Sequence, residues 1–366
     1  FILTIFAIVF TDLLSGVLIG LAVSLSFILW SNVRRPVHKI IEKHLQEDVV
    51  RIELASQVSF LNRASLARTL DELPAGGHVL LDARDTDYID PDILGLFRDF
   101  TEIIAPARGI EVSLLGFRSK YLLGDQIQYV DYSSRDLQSA VTPTQVLEIL
   151  RAGHERFRTG QRLTRDLSRQ VSATADGQHP LAVVRSCIDS RSPAELIFDL
   201  GVGDIFSVRI AGNVISPYVL GSIEYACAVA GAKLIVVMGH TRCGAVAASV
   251  DLYCSQRDPA TATGCDHIGS IVDEINKSIH PDDCADYLHQ TDSGKKAIAD
   301  GVARKNVVRI AGALTERSRA LEGLIAEGRI AIVGVMYDVA TGGIEYLPDT
   351  AANLTLPEPE TAAVLT

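Results

Sequence analysis

Two short segments of the sequence combine the residue types that bind a soft metal ion. The first, Cys-x-Asp-Ser-Arg, spans residues 187–191, and the second, His-x-x-Cys, spans residues 240–243. Two thiolates and one imidazole suit zinc, and three protein ligands leave the fourth tetrahedral position open for water. Zinc lowers the pKa of such a water toward neutrality, which gives a hydroxide nucleophile at physiological pH. We therefore expect one zinc ion per chain, held by Cys187, His240 and Cys243.

Both segments follow apolar runs, at residues 181–184 and 234–238, that read as buried strands. Open α/β sheets build their sites just beyond the carboxyl ends of such strands. Cys243 is expected in the first turn of the helix that follows, where the helix dipole helps to hold it as a thiolate. The alternative is two buried cysteines and a core histidine, which leaves the nearby Asp189 and Arg191 unexplained.

The two motifs, in this order and at this spacing, resemble those of the β-class carbonic anhydrases. An amphipathic helix predicted over residues 144–157 and the last apolar strand with its following turn, residues 330–347, resemble the same family, so the resemblance covers residues 144–350. It implies an α/β domain with a central, mostly parallel sheet, reversible hydration of carbon dioxide to bicarbonate, and a homodimer. It also implies that Asp189 accepts a hydrogen bond from the zinc-bound hydroxide. Arg191 would keep that carboxylate ionised and turned away from the metal, although an ion pair that only caps the turn is the alternative.

The resemblance assigns four further residues to substrate binding: Gln178, Phe206, Tyr225 and Gly244. Gln178 matches the position at which an open, ungated subclass holds bicarbonate. Val184 stands where a gated subclass has a tryptophan, so we predict the open form. Phe206 and Tyr225 match aromatic positions of a carbon dioxide pocket completed across a dimer interface, with ordinary core packing as the alternative. Gly244 is expected to allow a tight turn beside the metal.

The composition limits the possible partners and compartments. The chain has 366 residues, enough for two or three domains, and a net charge of −11 that argues against nucleic acid as a partner. All six cysteines lie between positions 187 and 284, a clustering unlike a secreted disulfide framework, so a reducing compartment is expected. Residues 251–305 hold further cysteines and histidines, but their spacing matches no compact ligand pattern, and we interpret them as a variable helical excursion.

The first 33 residues predict a membrane segment. They carry a single charge, Asp12, and the uncharged run from Leu13 to Trp30 is long enough to span a bilayer. Basic residues follow at once, which places the rest of the chain in the cytoplasm by the positive-inside rule. This segment resembles the last membrane segments of SulP-family anion transporters. A buried core helix is the alternative; a signal peptide is a poor interpretation because no small-x-small cleavage site closes the run.

The remaining segments are assigned by pattern. Residues 34–48 are a polar linker, residues 133–143 a second linker, and residues 351–366 a flexible tail. Residues 49–132 alternate short strands and helices, and they resemble the STAS domain that follows the membrane part of SulP transporters. Because no serine or threonine starts the helix at Pro91, a scaffolding role is favoured over phosphoryl switching. The chain begins with Phe1, so we expect it to be part of a longer one.

The combined hypothesis is a carbonic anhydrase fused to the cytoplasmic end of an anion transporter in the inner or plasma membrane. The transported anion would be bicarbonate or sulfate, and tethering would raise the local bicarbonate concentration beside the pore. The alternative is a catalytically silent domain that senses bicarbonate and regulates transport. A third possibility is a transporter with a purely structural zinc appendage.

Overall fold

The computed structural model describes residues 2–10, 12–34, 37–44, 48–124, 132–285, 287–354 and 356. The contacts between residues divide the chain into two compact units, Phe1–Val130 and Asp131–Thr366. This division lies within two residues of the predicted end of the STAS-like segment at position 132. Each unit is described by itself.

The N-terminal unit is built on a four-stranded sheet of order β1-β2-β4-β6. Strand β2 pairs antiparallel with β1 and parallel with β4, and β4 pairs parallel with β6. The short strands β3 and β5 form a separate parallel pair. The strands are β1 (Val37–Lys43), β2 (Asp48–Leu54), β3 (Gln57–Val58), β4 (His78–Asp82), β5 (Tyr88–Ile89) and β6 (Glu111–Leu115). The helices are α1 (Ile2–Phe10), α2 (Leu13–Arg34), α3 (Arg63–Asp71), α4 (Pro91–Asp99) and α5 (Ala105–Ala107), with a π-helical turn at Phe100–Ile104 and 3-10 turns at Phe60–Asn62 and Ser119–Tyr121.

The predicted linker at residues 34–48 is wrong in its central part, which forms strand β1. Strand β1 lies at the edge of the sheet, and most of its side chains are exposed. Its polar sequence therefore resembles a connector, although all seven residues are paired in register with β2.

The predicted membrane span coincides with part of helix α2. Helix α1 ends at Phe10 and α2 begins at Leu13, and the Asp12 carboxylate accepts a hydrogen bond from the backbone N–H of Ser15 at 2.9 Å. Within the described residues, however, no helix is both long enough and apolar enough to cross a membrane. The prediction of a span at residues 13–30 is therefore not supported. The side chains of residues 27–30 lie outside the described ones.

The C-terminal unit contains a five-stranded sheet of order β11-β10-β9-β7-β8. All neighbouring pairs are parallel except β10 with β11. This confirms the predicted central, mostly parallel sheet. The strands are β7 (Ala182–Ser186), β8 (Ile205–Arg209), β9 (Leu234–His240), β10 (Ala331–Tyr337) and β11 (Ile344–Ala352).

Helices precede this sheet and connect its parallel strands. They are α6 (Arg135–Ala140), α7 (Pro143–Thr159), α8 (Leu167–Ala173), α9 (Ala194–Ile197), α10 (Pro217–Glu224), α11 (Gly244–Ser255), α12 (Pro259–Thr263), α13 (Gly269–Asn276), α14 (Pro281–Cys284), α15 (Asp292–Arg317) and α16 (Arg319–Ala326), with a π-helical turn at Tyr225–Val229 and 3-10 turns at Ala211–Asn213 and Tyr287–His289. The predicted linker at residues 133–143 is mostly helix α6. Every residue of β7, β9 and β10 is buried, as expected for inner strands covered on both faces.

Helix α7 confirms the predicted amphipathic helix and starts at a capping box between Thr142 and Gln145. It packs so closely that a Cβ atom at Gly153 would lie 1.9 Å from the carbonyl oxygen of Phe198. His154 is buried and its Nε2 lies 2.8 Å from the carbonyl oxygen of Gly342. The histidine thus has a structural role.

The helical excursion contains a feature that the cysteine count did not predict. Cys254 at the end of α11 and Cys284 in α14 form a disulfide; they are 30 positions apart in the sequence, and their Cα atoms are 5.2 Å apart. The pairing depends on how α11 and α14 meet, which the spacing of two cysteines cannot show.

A buried carboxylate, that of Asp199, anchors the loop after α9. Its side chain is 3% exposed and accepts hydrogen bonds from Arg156 Nε and Arg165 Nη1, each at 2.6 Å. Burial opposes ionisation, but the charges and hydrogen bonds of the two arginines prevail and lower the pKa of Asp199. Ionised Asp199 therefore stabilises the fold above its unfolded pKa, and this contribution disappears as the pH falls below it.

Asp199→Asn is expected to lower the free energy of unfolding by about 3–5 kcal/mol at pH 7, because it leaves two arginines without their counter-charge. Urea denaturation at pH 7 and at pH 3.5 measures this, and the difference should shrink at the lower pH. The control is Asp176→Asn, at an exposed loop position. Equal stability of the two variants at pH 7 would contradict the prediction.

Candidate metal centre

The structure brings the three predicted ligands together at one edge of the C-terminal sheet. Cys187 directly follows β7, His240 is the last residue of β9, and Cys243 is the N-cap of α11. Strands β7 and β9 pair in parallel with Ser186 opposite Met238, so both deliver their ligands at the same end. The ligand atoms all lie within 4.8 Å of one another, and the two sulfurs are 3.9 Å apart. All three side chains are buried.

The turn between His240 and Cys243 gives the second motif its shape. The N–H of Thr241 continues the sheet by donating to Tyr337 O at 2.9 Å. Arg242 then adopts a left-handed conformation with φ of 56°, which reverses the chain. Cys243 lies one residue before the helix rather than in its first turn, but its carbonyl accepts the first helical hydrogen bond, from Ala247. The thiol therefore still lies at the positive end of the α11 dipole.

The imidazole of His240 is prepared to act as a ligand. Its Nδ1 lies 2.9 Å from the carbonyl oxygen of Thr241, and its Nε2 is buried with no hydrogen-bond partner among the described residues. Buried polar atoms are nearly always paired, so this nitrogen indicates a missing partner. A ring that donates from Nδ1 presents the lone pair of Nε2 to a metal. Together with the two sulfurs, this donor set fits zinc.

The two thiols share their protons unequally. A hydrogen bond from Cys243 lowers the pKa of Cys187 to about 4, and the same contact raises the pKa of Cys243. Burial opposes a charge on His240, but the Cys187 thiolate, the carbonyl oxygen of Thr241 and the charge of Asp189 together outweigh it and raise the pKa of the imidazole. Without metal, the centre therefore holds a proton that metal binding releases.

The predicted Asp189 and Arg191 pair lies beside these ligands. Arg191 donates from Nε to Asp189 Oδ1 at 2.9 Å and from Nη2 to Oδ2 at 2.8 Å. These bonds lower the pKa of Asp189 to about 2. Oδ2 lies 3.9 Å from His240 Nε2, so the carboxylate is adjacent to the ligand cluster. Arg191 also donates to the carbonyl oxygen of Arg242 at 3.2 Å, which connects the pair to the second motif.

Within one chain, the predicted substrate residues do not lie together beside the three metal-ligand residues. Phe206 and Tyr225 line an open groove of about 750 Å³ between β8 and α10, whose lining residues include none of the three ligands. Gln178 is exposed in the loop before β7, at the opposite end of that strand from Cys187. Gly244 is exposed, and no described atom lies within 4 Å of where its Cβ would be. The expected tight turn therefore does not depend on it.

Two polar residues of the site were missed by sequence reasoning. Arg209, the last residue of β8, donates to the carbonyl oxygens of Cys187 at 2.9 Å and Asp189 at 2.6 Å. Its place at the end of a strand next to β7 was a usable signal. Asp300 on α15 accepts a hydrogen bond from the N–H of Arg242 at 2.6 Å. Nothing in the sequence near Asp300 indicated this contact.

Comparisons with known proteins show which family the C-terminal unit resembles. A sequence model of the carbonic anhydrase family matches residues 182–344. Carbonic anhydrase 2 of Mycobacterium tuberculosis is 37% identical over 202 residues, which covers 55% of this chain and 90% of the relative. A carbonic anhydrase of Mycolicibacterium smegmatis is 38% identical over 205 residues, covering 56% of this chain and 92% of the relative. A solved β-carbonic anhydrase of Aspergillus fumigatus overlaps 50% of this chain and 82% of its own, at 28% identity and a TM-score of 0.42.

The sheet and the Cys-His-Cys centre define a β-class carbonic anhydrase domain. Through its C-terminal unit, the chain belongs to the carbonic anhydrase family. The segments that we predicted to be a STAS-like domain and the end of a transporter precede residue 182, outside the family match.

Proposed function

We propose that this protein catalyses the zinc-dependent, reversible hydration of carbon dioxide to bicarbonate. The observation that carries the proposal is the buried His240 Nε2, unpartnered among the described residues, on a ring that offers a ligand nitrogen within 4.8 Å of both thiol sulfurs. A zinc ion held there would lower the pKa of a water toward neutrality and so supply hydroxide, as it does in the three-histidine carbonic anhydrases. Cys187, His240 and Cys243 are the residues that would hold it.

Asp189 supplies the orienting group beside this centre. The two bonds from Arg191 fix its carboxylate and keep it ionised, so it accepts a hydrogen bond but repels an unprotonated anionic oxygen. It therefore favours a hydroxyl group, of water or of bicarbonate, next to its carboxylate. Because Arg191 holds both carboxylate oxygens, the carboxylate is kept off the ligand atoms, which supports the open, ungated form.

We propose further that a second copy of the chain completes the substrate pocket. Within one chain, Gln178 and the groove of Phe206 and Tyr225 are separate from the ligands, so their predicted roles need a partner's residues. The groove is formed by the edge strand β8 and by exposed aromatic residues, since Tyr218 is 89% and Tyr225 55% exposed. Sedimentation of the purified chain at several concentrations tests this, and a monomer with full activity would reject it.

For the N-terminal unit, fusion to a SulP-type anion transporter through a STAS-like domain is a hypothesis that rests on sequence resemblance. It predicts that the full chain lies at a membrane with its sheet-containing units in the cytoplasm. Flotation of the full chain with lipid vesicles, followed by an alkaline carbonate wash, tests membrane attachment. Recovery of all protein in the vesicle-free fraction would reject the hypothesis and leave the enzymatic proposal intact.

The enzymatic proposal is tested by zinc analysis and stopped-flow hydration of carbon dioxide with the full chain. We expect one zinc per chain, hydration that disappears after chelation, and recovery of activity when zinc is restored. The matched control restores magnesium instead, a hard cation that this sulfur-containing site binds poorly. Zinc binding without hydration would reject the enzyme and favour the silent bicarbonate sensor.

A further inference from the structure

We infer that Asp300 is a positioning residue of the metal centre, which holds the turn between His240 and Cys243 in the conformation that lets both reach one ion. The inference rests on the proposed zinc function of this site. Asp300 touches neither a ligand atom nor the predicted substrate residues in the described contacts. It acts on the backbone that joins two ligands.

The backbone at Arg242 needs such support. Arg242 is not a glycine, yet its φ of 56° lies in the left-handed region. Residues with a Cβ atom rarely adopt this conformation, and they keep it only where the surroundings hold them. A relaxed Arg242 would change the direction of the chain between His240 and Cys243, and with it the distance between their ligand atoms.

Two side chains from different parts of the fold bind the backbone N–H and the backbone carbonyl oxygen of Arg242. Asp300 Oδ1 accepts a hydrogen bond from its N–H at 2.6 Å, and Arg191 Nη2 donates to its carbonyl oxygen at 3.2 Å. Since Arg191 also binds both oxygens of Asp189, one chain of hydrogen bonds joins the orienting carboxylate, the ligand turn and helix α15. The bond from Asp300 is charge-assisted, which makes it stronger than a bond between neutral groups.

A second carboxylate supports the same turn from β10. The hydroxyl of Thr241 donates to Asp338 Oδ1 at 3.1 Å and accepts from the N–H of Val339 at 3.2 Å. Asp300 and Asp338 both line a groove of about 440 Å³ beside the turn. Asp338, however, is contacted through a side chain, whereas Asp300 holds the main chain of the left-handed residue itself. This is why the inference is made for Asp300.

Helix α15 presents Asp300 rigidly. The neighbouring Ala299, Val302 and Ala303 are buried, so this part of the helix is fixed to the core. Asp300 is 58 residues from Arg242 in the sequence, so the contact forms only when the whole unit is folded. An acidic residue with no role beyond solubility would not need this placement.

The test measures zinc affinity in competition with a chromophoric chelator, using the full chain. Asp300→Ala is expected to weaken zinc binding by about 10–100-fold, the usual range for residues that support ligands. Asp300→Asn keeps an oxygen acceptor and should stay within about threefold of the wild type. Glu316→Ala, at an exposed position of the same helix, is the matched control and should leave the affinity unchanged.

A second variant separates positioning from general stability. Glycine adopts left-handed φ without a steric penalty. Arg242→Gly combined with Asp300→Ala should therefore recover zinc affinity relative to Asp300→Ala alone. Wild-type affinity in Asp300→Ala would overturn the inference, as would equal loss in the single and double variants. A wild-type chain that binds no zinc would overturn the proposed function, and the inference with it.

Discussion

Cys243→Ala is expected to leave the protein without zinc and to reduce carbon dioxide hydration to the level of the chelated chain. The site would keep only two ligands, Cys187 and His240, whereas a catalytic zinc site needs three protein ligands. Removing a ligand weakens zinc binding more than removing a residue that supports a ligand, so zinc affinity should fall by more than about 100-fold. Zinc per chain after gel filtration against a chelator, and stopped-flow hydration, measure the two effects.

Cys227→Ala provides the matched control for this variant. Cys227 is also a buried cysteine of the same core, but it lies outside the ligand cluster, and burial raises the pKa of its thiol to about 12. Its replacement should cost some stability and leave one zinc per chain. Retention of zinc and activity by Cys243→Ala, or an equal loss in both variants, would contradict the assignment of Cys243.

Asp189→Asn is expected to lower kcat by about 10²–10³-fold, the usual range for the loss of one preorganised hydrogen-bonding group at the reacting atoms, while zinc content stays at one per chain. Asparagine offers a single acceptor oxygen, so it cannot receive both donors of Arg191, and it lacks the negative charge that selects a hydroxyl. Stopped-flow measurements with parallel zinc analysis separate this defect from loss of the metal.

The pH dependence sharpens this prediction. The pKa of Asp189 is about 2, so the carboxylate stays ionised throughout the range from about pH 6.5 to 9. Its contribution to stability is lost only as the pH falls from about 4, its unfolded value, through the folded pKa. The deficit of Asp189→Asn should therefore be constant across the assay range. The control is Asp266→Asn, at an exposed turn, and a deficit that varies steeply with pH would contradict the role of Asp189.

The ligand set could be predicted from the sequence because its chemistry is local. Cys187 and His240 each end an apolar run, and the pairing of Asp189 with Arg191 spans only two residues, so neither required knowledge of the distant fold. Arg209 and Asp300 are different, since each acts on the main chain of a segment far away in the sequence. Such contacts leave no periodicity or spacing that can be read in advance.

Two predictions failed for reasons of context. The sequence predicts a linker where β1 forms, because an edge strand with exposed polar side chains lacks the apolar pattern of an inner strand. The span from Leu13 to Trp30 was predicted from the absence of charge, and that criterion alone does not establish a helix able to cross a bilayer. The disulfide between Cys254 and Cys284 depends on the packing of two helices, which the spacing cannot give.

The register of β7 against β9 has a kinetic consequence. The ligands come from chain segments that meet only after these two parallel strands, joined by a long crossover, have paired with Ser186 opposite Met238. Parallel pairing across such a distance is a slow step of folding. The three ligands therefore come together only late in folding. A metal bound to them stabilises the native state but does not help to nucleate folding. We expect zinc to slow unfolding and to leave the rate of refolding nearly unchanged.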